Sequence, residues 1–525
     1  MSSPPNAVPG APAAPEPLKG SALVLGTIAL SLATFMNVLD SSIANVSLPA
    51  IAGDLGVSPV QGTWVITSFG VANAISVPLT GWLTQRFGAV RLFTSSVLAF
   101  VLASWLCGFA HSLEALVAFR ALQGFVAGPM IPLSQTLLLA SYPKAKAGTA
   151  LALWAMTTLV APVVGPLLGG WITDDFTWPW IFYINVPVGL FAAFLSWSIY
   201  HKRETMTRKL PIDGIGLALL VMWVGSLQLM LDKGKELDWF HSNVILTLAI
   251  VAVVALLFFI VWELTDDHPV VDLRLFKGRN FAFGVVALSI AYGLFFGNVV
   301  ILPLWLQQWM GYTATDAGWA LAPVGILAII LSPIVGKNVT KFDPRLMATF
   351  AFIVFAVVLW MRSSFTTDTG LGTIMIPTII QGAAMACFFI PLTTIVLAGI
   401  PPERIPAAAG LSNFVRITAG AMGTSISTTI WENRAVLHHQ HLVEARAVLG
   451  DPIAAQAVNQ LGTLGLSQTQ AAGFLNRLLD QQAFTRAADD IFLGSAIVFI
   501  LLISTIWLTR RPAAHAAPSD AGGAH

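Results

Sequence analysis

Long apolar segments separated by short polar ones run through almost all of the 525 residues. A helix needs about 20 apolar residues to cross the hydrocarbon core of a membrane, and fourteen segments approach that length. The predicted spans cover residues 21–46, 60–84, 91–110, 114–139, 148–172, 180–200, 212–231, 243–264, 280–308, 316–337, 346–363, 371–397, 405–431 and 486–509. This pattern predicts an all-α polytopic membrane protein with fourteen transmembrane helices.

The composition agrees with this prediction and excludes several other classes of protein. Hydrophobic residues make up 56% of the chain and charged residues 10%, against about 25% charged residues in soluble domains. A net charge of +1 gives no reason to expect a nucleic-acid partner. The sequence contains no phosphate-binding glycine loop, which argues against transport driven by ATP. Cys107 and Cys387 lie within apolar segments, so we interpret them as core residues rather than disulfide or metal ligands.

Lysine and arginine positions predict the orientation, because cytoplasmic loops are enriched in these residues. Most of the 27 lysines and arginines fall in the N-terminal tail, in alternate loops and at the C-terminal end. The basic residues assigned to the opposite side are Lys233, Lys235, Arg362, Arg434, Arg446, Arg477 and Arg486. We therefore predict that both termini are cytoplasmic, with disordered tails at residues 1–20 and 511–525.

The chain repeats itself at an offset of 255 residues. The matched positions are Trp64, Gly70, Pro78, Gly81 and Arg86 in the first half and Trp319, Gly325, Pro333, Gly336 and Lys341 in the second. The repeat predicts a six-helix bundle at 21–200, an inserted hairpin with its flanking loop at 201–265, and a second six-helix bundle at 266–510. Parallel halves that share a site near the middle of the membrane are a known transporter plan.

An acid in the first predicted span is the main candidate for chemistry. A charged side chain at the centre of a membrane costs about 3 kcal/mol on insertion scales, so Asp40 needs a wet cavity or a partner. Arg120 in the fourth span lies at a comparable depth, and neither charge recurs in the second half, where Phe295 and Thr378 take their places. We interpret Asp40 and Arg120 as a proton-coupling pair; the alternative is a static ion pair that fixes the packing.

Other polar and aromatic residues at membrane depth are candidates for substrate binding. Four amides, Asn45, Gln123, Gln381 and Asn413, either contact substrate or form hydrogen bonds between helices. Five aromatic residues, Phe35, Phe69, Trp154, Phe296 and Phe388, either line an apolar pocket or belong to the core of a bundle. Arg416, near the middle of the thirteenth span, either binds an anionic substrate or holds a helix contact.

Two glycine-containing segments are candidates for gating. The loop after the second span contains Gly81, Arg86, Gly88 and Arg91, and the fifth span contains Pro162, Gly165, Pro166, Gly169 and Gly170. Small residues allow helix backbones to approach closely, and proline removes a helical hydrogen bond. The fifth span is therefore interpreted either as a tight outer seal or as a simple kink with a packing face.

The only long external segment is the loop at residues 432–485. Leu437, Leu442, Val443 and Val448 follow a helical pattern that Gly450 and Pro452 end, and residues 467–470 (SQTQ) resemble a capping box that opens a second helix. Two amphipathic helices outside the membrane predict either a docking surface or a self-packed cap. The neighbouring His438, His439 and His441 are interpreted as solvated rather than as metal ligands.

Several motifs resemble those of the fourteen-span drug:proton antiporters of the major facilitator superfamily. They are residues 39–49 (LDSSIANVSLP), 120–124 (RALQG) and 161–170 (APVVGPLLGG). Residues 61–70 (QGTWVITSFG), 231–239 (LDKGKELDW) and 391–394 (PLTT) resemble a multidrug-exporting branch of that family. The resemblance extends roughly from Leu23 to Arg510. One departure is Gln85, which stands where the superfamily usually has an aspartate that helps to latch the cytoplasmic gate.

This resemblance implies a function as well as a fold. It implies a transporter rather than an enzyme, in a bacterial inner membrane, exporting hydrophobic and often weakly acidic compounds. It implies a proton gradient as the energy source without a cofactor, and a periplasmic adaptor and an outer-membrane channel as partners. The alternatives are an exporter of one native metabolite, such as a fatty acid or a siderophore, a passive channel, or a membrane receptor that does not transport. Few ionisable residues within spans argue against a channel, and the absence of a long domain-sized loop argues against a receptor.

Overall fold

The computed structural model describes residues 16–143, 146–208, 211–339, 341–448 and 467–511, together with residues 456, 460, 461 and 463. These residues form helices, turns and loops, and no strand occurs among them. The long helices of the described part are α1 Gly20–Asp54, α2 Trp64–Phe87, α3 Ala89–Gly108, α4 Leu113–Ser141, α5 Ala147–Asp175, α6 Trp180–Arg203, α7 Gly214–Lys233, α8 Asn243–Thr265, α9 Arg279–Gln308, α10 Asp316–Asn338, α11 Pro344–Arg362, α12 Leu371–Leu397, α13 Ile405–Val448 and α14 Gln468–Trp507. Each predicted span corresponds to one of them.

Twelve of the described helices are long and apolar enough to cross a membrane, and α5 and α13 are outside that set. Both nevertheless lie within the helical bundles, because α5 packs along α1 and α13 packs along α9. Large apolar side chains on the outer surface agree with a lipid environment: on α8, Leu257, Phe258 and Val261 are each at least 60% exposed. The chain is thus an all-helical, multi-pass membrane protein, and membrane crossing by α5 and α13 stays a prediction.

The two halves of the chain repeat the same helix packing. In the first half α2 packs against α4, and in the second half α10 packs against α12. A Cβ added at Gly124 would lie 2.2 Å from the carbonyl oxygen of Phe69, and one added at Gly382 would lie 2.4 Å from that of Val324. Positions 69 and 324 are separated by the offset of the sequence repeat. The glycines are needed in both halves because helix backbones touch there.

The inserted hairpin packs against the side of the molecule. Helices α7 and α8 contact each other, and α7 also contacts α2 and α13. Asp213 caps α7 by accepting a hydrogen bond of 2.8 Å from the Gly216 amide. At the end of α8 the buried Glu263 accepts a bond of 3.0 Å from the Val271 amide. That bond ties the linker that leads into α9 to the end of the hairpin.

The external segment differs from the prediction of two separate helices. Its first part continues α13 beyond the predicted end at residue 431 to Val448, and its second part is the start of α14 at Gln468. The capping box at Ser467 and Gln470 is confirmed, whereas Gly450 and Pro452 lie outside the described residues. The helices are continuous across the junctions because residues 424–448 and 474–493 contain neither proline nor glycine.

Aromatic stacking and ion pairs fix the base of these helix extensions. Phe484 stacks on Trp309 with 4.1 Å between ring centroids and accepts a bond of 2.9 Å on its carbonyl from the Trp431 indole. His438 and His439 each lie 2.8 Å from a carboxylate, of Asp490 and Asp480 respectively. Two of the three histidines are therefore paired with acids. Among the described residues no group of three or more potential ligands is arranged to hold a metal.

Candidate functional site

The predicted pair of Asp40 and Arg120 is present in the core of the N-terminal half. Asp40 on α1 and Arg120 on α4 are 2% and 1% exposed, and their side chains meet with 2.5 Å between Nη1 of the arginine and Oδ2 of the aspartate. The Arg120 Nε donates a second bond of 3.1 Å to the Val65 carbonyl on α2. Three helices are therefore joined through one guanidinium.

Two amides complete the hydrogen bonding of the Asp40 carboxylate. Gln123 and Asn185 donate to its Oδ1 over 3.0 and 2.8 Å. Gln123, a candidate for substrate binding, thus lies with the ion pair, where its own oxygen accepts a bond of 2.7 Å from Arg120. Asn185 on α6 was not predicted, because a single amide near the start of a span has no distinguishing pattern in the sequence.

Two aromatic rings pack against the guanidinium of Arg120. The Arg120 guanidinium lies 4.2 Å from the Phe69 ring centroid and 5.5 Å from that of Phe182. Phe69 therefore lies beside the ion pair, not in a separate pocket. In this conformation the carboxylate accepts three hydrogen bonds, from Arg120, Gln123 and Asn185, and is almost inaccessible to water. Loss or gain of its charge would therefore change the contacts among α1, α4 and α6 together.

A second buried cation lies where the two halves meet. The Arg416 guanidinium on α13 lies 4.5 Å from the Tyr292 ring centroid, 5.6 Å from Phe389 and 5.9 Å from Trp154. These rings belong to α9, α12 and α5, so both halves contribute. Among the described residues no carboxylate forms an ion pair with Arg416. An aromatic cage around an unneutralised cation is suited to an anion with an apolar body.

The polar side of this interface links the halves directly. Arg416 donates to the Asn413 side-chain oxygen over 2.5 Å, and the Asn413 amide donates to Gln135 on α4 over 3.1 Å. The adjoining cavity is only about 10 Å³, room for about one water molecule. Arg416, Asn413 and Trp154 are thus brought together as predicted candidates, in a conformation too closed for a drug-sized molecule.

The remaining substrate candidates lie apart from Arg416, with one exception. The Phe296 ring lies 4.5 Å from the Tyr292 ring centroid, tilted by 34°, and adjoins the cage. Phe388 belongs to the buried aromatic core of the C-terminal half, 5.7 Å from Phe355. Phe35 packs beside the apolar core of α1, and Asn45 is exposed near its outer end. The structure therefore does not bring Phe35, Asn45 or Phe388 to the interface cation.

Arg362, which was counted among the basic residues of the outer side, is the last residue of α11 and is buried. Its side chain is 1% exposed and donates bonds of 3.0 Å to Thr378 and 2.8 Å to Gln381. Gln381 is thereby engaged within the C-terminal half. Thr378 is the repeat equivalent of Arg120, and Arg362 contacts it. The second half therefore also holds a buried arginine in the corresponding region, but no described carboxylate pairs with Arg362.

The halves contact each other closely at the end where the predicted cytoplasmic loops lie. A Cβ added at Gly81 on α2 would lie 2.6 Å from the Ala407 Cβ on α13, and one at Gly148 on α5 would lie 2.1 Å from the Gly336 carbonyl oxygen on α10. Backbone contact on both sides of the pseudo-symmetric interface leaves no room for side chains. We refer to these two contacts as the glycine gate.

The loop after α2 is held from within its own half. Glu204 accepts bonds of 3.0 and 2.9 Å from the amides of Val90 and Arg91 at the start of α3. Gly88 has a φ of +90°, and a Cβ there would lie 2.4 Å from the Glu204 carboxyl carbon, so glycine is required. Arg86 packs 5.3 Å from the Trp82 ring.

The neutral Gln85 changes the pairing across the gate. Arg404, which lines the same cavity as Gln85, forms its ion pair with Asp272 of the linker after the hairpin. The positive charge that faces α2 is thus satisfied without an acid on α2. This arrangement gives a physical reason why the departure at Gln85 is compatible with a closed gate.

The glycines of α5 form a contact inside the N-terminal half. A Cβ added at Gly165 would lie 2.4 Å from the Ser42 hydroxyl on α1, whereas one at Gly169 would come only within 3.3 Å of Ile43. Gly170 has open space. The side chains of Pro162 and Pro166 lie outside the described residues. The motif therefore brings α5 against α1, two residues from Asp40, at Gly165 in particular.

These features define a class of protein: a two-bundle membrane transporter, with a polar site inside one half and a second at the interface between halves. Residues 30–424 match the Major Facilitator Superfamily, and the chain belongs to that superfamily. The prediction of this family from the motifs is confirmed.

Individual relatives agree with this assignment over nearly the full length. The chain is 54% identical over 512 residues to the multidrug export protein EmrB of Escherichia coli K12, covering 97% of this chain and 99% of the other. It is 50% identical over 500 residues to the fatty acid resistance protein FarB of Neisseria gonorrhoeae, covering 94% and 98%. The human organic anion transporter MFSD10 has a similar fold, with a TM-score of 0.58, 13% identity, and coverage of 93% of this chain and 100% of that one.

Proposed function

We propose that this protein exports hydrophobic, often weakly acidic drugs and toxic compounds across a bacterial inner membrane in exchange for protons. The relatives named for multidrug export support the class of activity. The observation that carries the coupling mechanism is the buried Asp40 carboxylate, with its charge compensated by Arg120 inside a transporter half. The lysine and arginine distribution supports a cytoplasmic location for both termini.

The proposed cycle uses the two buried sites at different steps. When Asp40 is charged, Arg120, Gln123 and Asn185 hold α1, α4 and α6 together. A proton arriving from the outside neutralises the carboxylate and frees Arg120, which weakens this contact and allows the helices to rearrange. Release of the proton to the cytoplasm restores the ion pair. Proton movement is thereby linked to which side of the membrane the interface cavity faces.

The substrate site is assigned to the interface around Arg416. A carboxylate or another acidic group would bind the guanidinium, and an apolar body would pack against Trp154, Tyr292 and Phe389. The similarity to FarB favours a second candidate function, export of a native fatty acid. A fatty acid has the same two features, an anionic group and an apolar chain, so both functions use one site.

Transport by the purified protein in proteoliposomes tests the proposed function. An imposed pH gradient should drive accumulation of a fluorescent hydrophobic acid against its own gradient, and a protonophore should abolish it. Accumulation that is indifferent to the pH gradient would exclude proton exchange, and a preference for one fatty acid over all drugs would favour the native-metabolite function.

Replacement of Arg416 by glutamine should weaken transport of acidic substrates selectively. Loss of one hydrogen bond to a charged group amounts to about 1.5–3 kcal/mol, so the KM for a hydrophobic carboxylate should rise by about tenfold or more. The KM for a neutral substrate of similar size should change little, and Arg416→Lys should retain part of the affinity. Equal losses for acidic and neutral substrates would indicate that Arg416 only maintains the bond network to Asn413 and Gln135.

We propose that the extensions of α13 and α14 dock a periplasmic adaptor, which links the transporter to an outer-membrane channel. Apolar side chains on these extensions have no lipid to face, and several are open to solvent: Val436, Val443, Phe474 and Leu478 are 58%, 41%, 49% and 42% exposed. A self-packed cap would bury them. An apolar surface outside the membrane is suited to a protein partner.

Substitution of Val443, Phe474 and Leu478 by serine should disrupt this docking without affecting the membrane bundle. The ion pairs of His438 and His439 and the Phe484 stacking are left intact. The triple variant should transport normally in proteoliposomes, where no partner exists, but should fail to retain the adaptor in pull-downs and to protect intact cells. The matched control replaces the exposed Gln440, Ala472 and Asn476 by serine. Adaptor recovery at the normal yield with the triple variant would contradict the docking surface.

A further inference from the structure

A cavity of about 300 Å³ lies at the end of the C-terminal half where the predicted cytoplasmic loops meet, apart from the interface site around Arg416. It is bounded by the linker before α9, the first turn of α9, the turn after α12 and the end of α14. Four arginines line it: Arg274, Arg279, Arg404 and Arg510. We call it the arginine cavity. None of its described lining residues is an acid.

Three of the four arginines keep an unneutralised charge. Arg404 forms an ion pair with Asp272, but Arg274 and Arg279 donate to backbone carbonyls, those of Asp266 at 2.9 Å and Leu508 at 2.6 Å. A carbonyl orients a guanidinium without cancelling its charge. Within the described residues no carboxylate forms an ion pair with Arg274, Arg279 or Arg510. Like charges held around one cavity repel one another unless an anion lies between them.

The start of α9 adds a second, independent attraction for an anion. The helix begins at Arg279, and its N-cap Gly278 offers no side chain to the first amides. Gly278, Arg279, Asn280 and Phe281 all line the cavity. The free N–H groups and the positive end of the dipole of this 30-residue helix therefore face the same space as the guanidinium groups.

An apolar surface continues from the cavity along the membrane-facing side of the same helices. Val286 and Ile290 on α9 are 43% and 42% exposed, and Leu501 on α14 and Leu508 directly after it are 63% and 44% exposed. A ligand that combines a phosphate with long apolar chains would therefore satisfy the cavity and this surface at once. A small soluble anion would use only the cavity.

We propose that the arginine cavity binds the headgroup of an anionic phospholipid from the cytoplasmic leaflet. The phosphate lies between Arg279, Arg510 and the first turn of α9, while the acyl chains run along α9 and α14. Basic pockets between membrane helices on the cytoplasmic side are suited to such headgroups. The assignment to the cytoplasmic leaflet rests on the proposed orientation, and binding itself is independent of the proposed transport activity.

Lipid binding to the purified full-length protein tests this assignment. After delipidation in a neutral detergent, native mass spectrometry measures binding of phosphatidylglycerol and of phosphatidylcholine with the same acyl chains. Removal of one arginine should weaken phosphatidylglycerol binding about fivefold, corresponding to about 1 kcal/mol per basic residue near an anionic surface. Arg279→Gln combined with Arg510→Gln should therefore weaken it about 25-fold, with little effect on phosphatidylcholine.

Two matched variants separate the cavity from general surface charge. Lys202→Gln with Arg208→Gln removes the same number of exposed charges from the N-terminal half and should leave binding unchanged. Asn280→Asp is nearly isosteric and keeps the acceptor for the Arg510 backbone amide, which bonds to Asn280 over 2.7 Å; it loses the side-chain amide that donates to the Arg510 carbonyl over 3.0 Å. It should weaken phosphatidylglycerol binding by placing a negative charge in the cavity, even if the arginine variant does not fold.

Three results would overturn the proposal. The first is equal affinity for phosphatidylglycerol and phosphatidylcholine, and the second is an equal loss in the Lys202 and Arg208 control. The third is displacement of the lipid by millimolar inorganic phosphate, together with no gain in affinity as the acyl chains are lengthened. That last result would identify a site for a soluble anion instead of a lipid. None of these outcomes depends on whether the protein exchanges drugs for protons.

Discussion

Asp40→Asn should abolish accumulation of substrate driven by a pH gradient while leaving the protein inserted in the membrane. Asparagine has nearly the same shape and keeps an oxygen for the bonds from Gln123 and Asn185, but it cannot carry a proton on and off. The loss in the initial rate of driven transport should be at least about 100-fold if protonation of this residue is an obligatory step, equivalent to about 2.7 kcal/mol in the barrier. Downhill exchange of labelled for unlabelled substrate should persist.

A double variant distinguishes coupling from packing. Asp40→Asn alone leaves Arg120 buried without a counter-charge, which costs about 3–5 kcal/mol in comparable buried pairs. Asp40→Asn with Arg120→Gln removes both charges and should recover part of that stability, measured as the thermal unfolding temperature in detergent. Recovery of pH-driven transport by the double variant would mean that the pair serves packing only. Recovery of stability without driven transport would support proton coupling.

The depth of Asp40 and Arg120 along their helices was sufficient to predict their pairing. Helical rise is regular, so two residues at similar distances from the outer ends of neighbouring spans come to the same level. The other members of this site were not predictable in the same way. The contact of Asn185 with Asp40 depends on the rotation of α6 about its own axis, which a nearly uniform apolar span does not specify.

Arg362 shows a related limit of interpretation at helix ends. A long basic side chain near the end of a span usually reaches the aqueous boundary, and Arg362 was counted with the basic residues of the outer side on that basis. In the structure it turns inward to Thr378 and Gln381, because these two side chains provide acceptors within the bundle. The direction of the Arg362 side chain is thus set by hydrogen-bond acceptors on another helix. These acceptors lie 16 and 19 residues away along the chain.

The positions of the long helices and the repeated helix packing were predictable for a different reason. Apolar length is set by the thickness of the membrane, and the glycines at 124 and 382 are required wherever two backbones touch. The external segment was harder to interpret, because its helical pattern continues that of the neighbouring spans. A pattern of this kind indicates a helix but contains no signal that separates the membrane part from the extension.

Alanine at Gly148 or Gly336 should hold the transporter open on the side of the glycine gate, which is the predicted cytoplasmic side. The two residues face each other across the glycine gate, where added Cβ atoms would lie 2.1 and 2.5 Å from the opposite carbonyl oxygens. A backbone oxygen cannot move aside as a flexible side chain can, so α5 and α10 must separate. Overpacking of this kind costs about 1–3 kcal/mol, and the closed state should become about five- to 150-fold less populated relative to the open one.

Labelling of a cysteine inside the gate measures this shift. Thr80 is fully buried beside α13, so Thr80→Cys, with Cys107 and Cys387 replaced by alanine, should react slowly with a maleimide in inside-out vesicles. Gly148→Ala should accelerate labelling by about tenfold, within the range expected for that cost, and should reduce driven transport in parallel. Gly325→Ala on the same helix α10 meets open space and should change neither quantity. Unchanged labelling and transport in both gate variants would mean that this backbone contact does not form in the working cycle, and that closure of the cytoplasmic side depends on the contact between Gly81 and Ala407 alone.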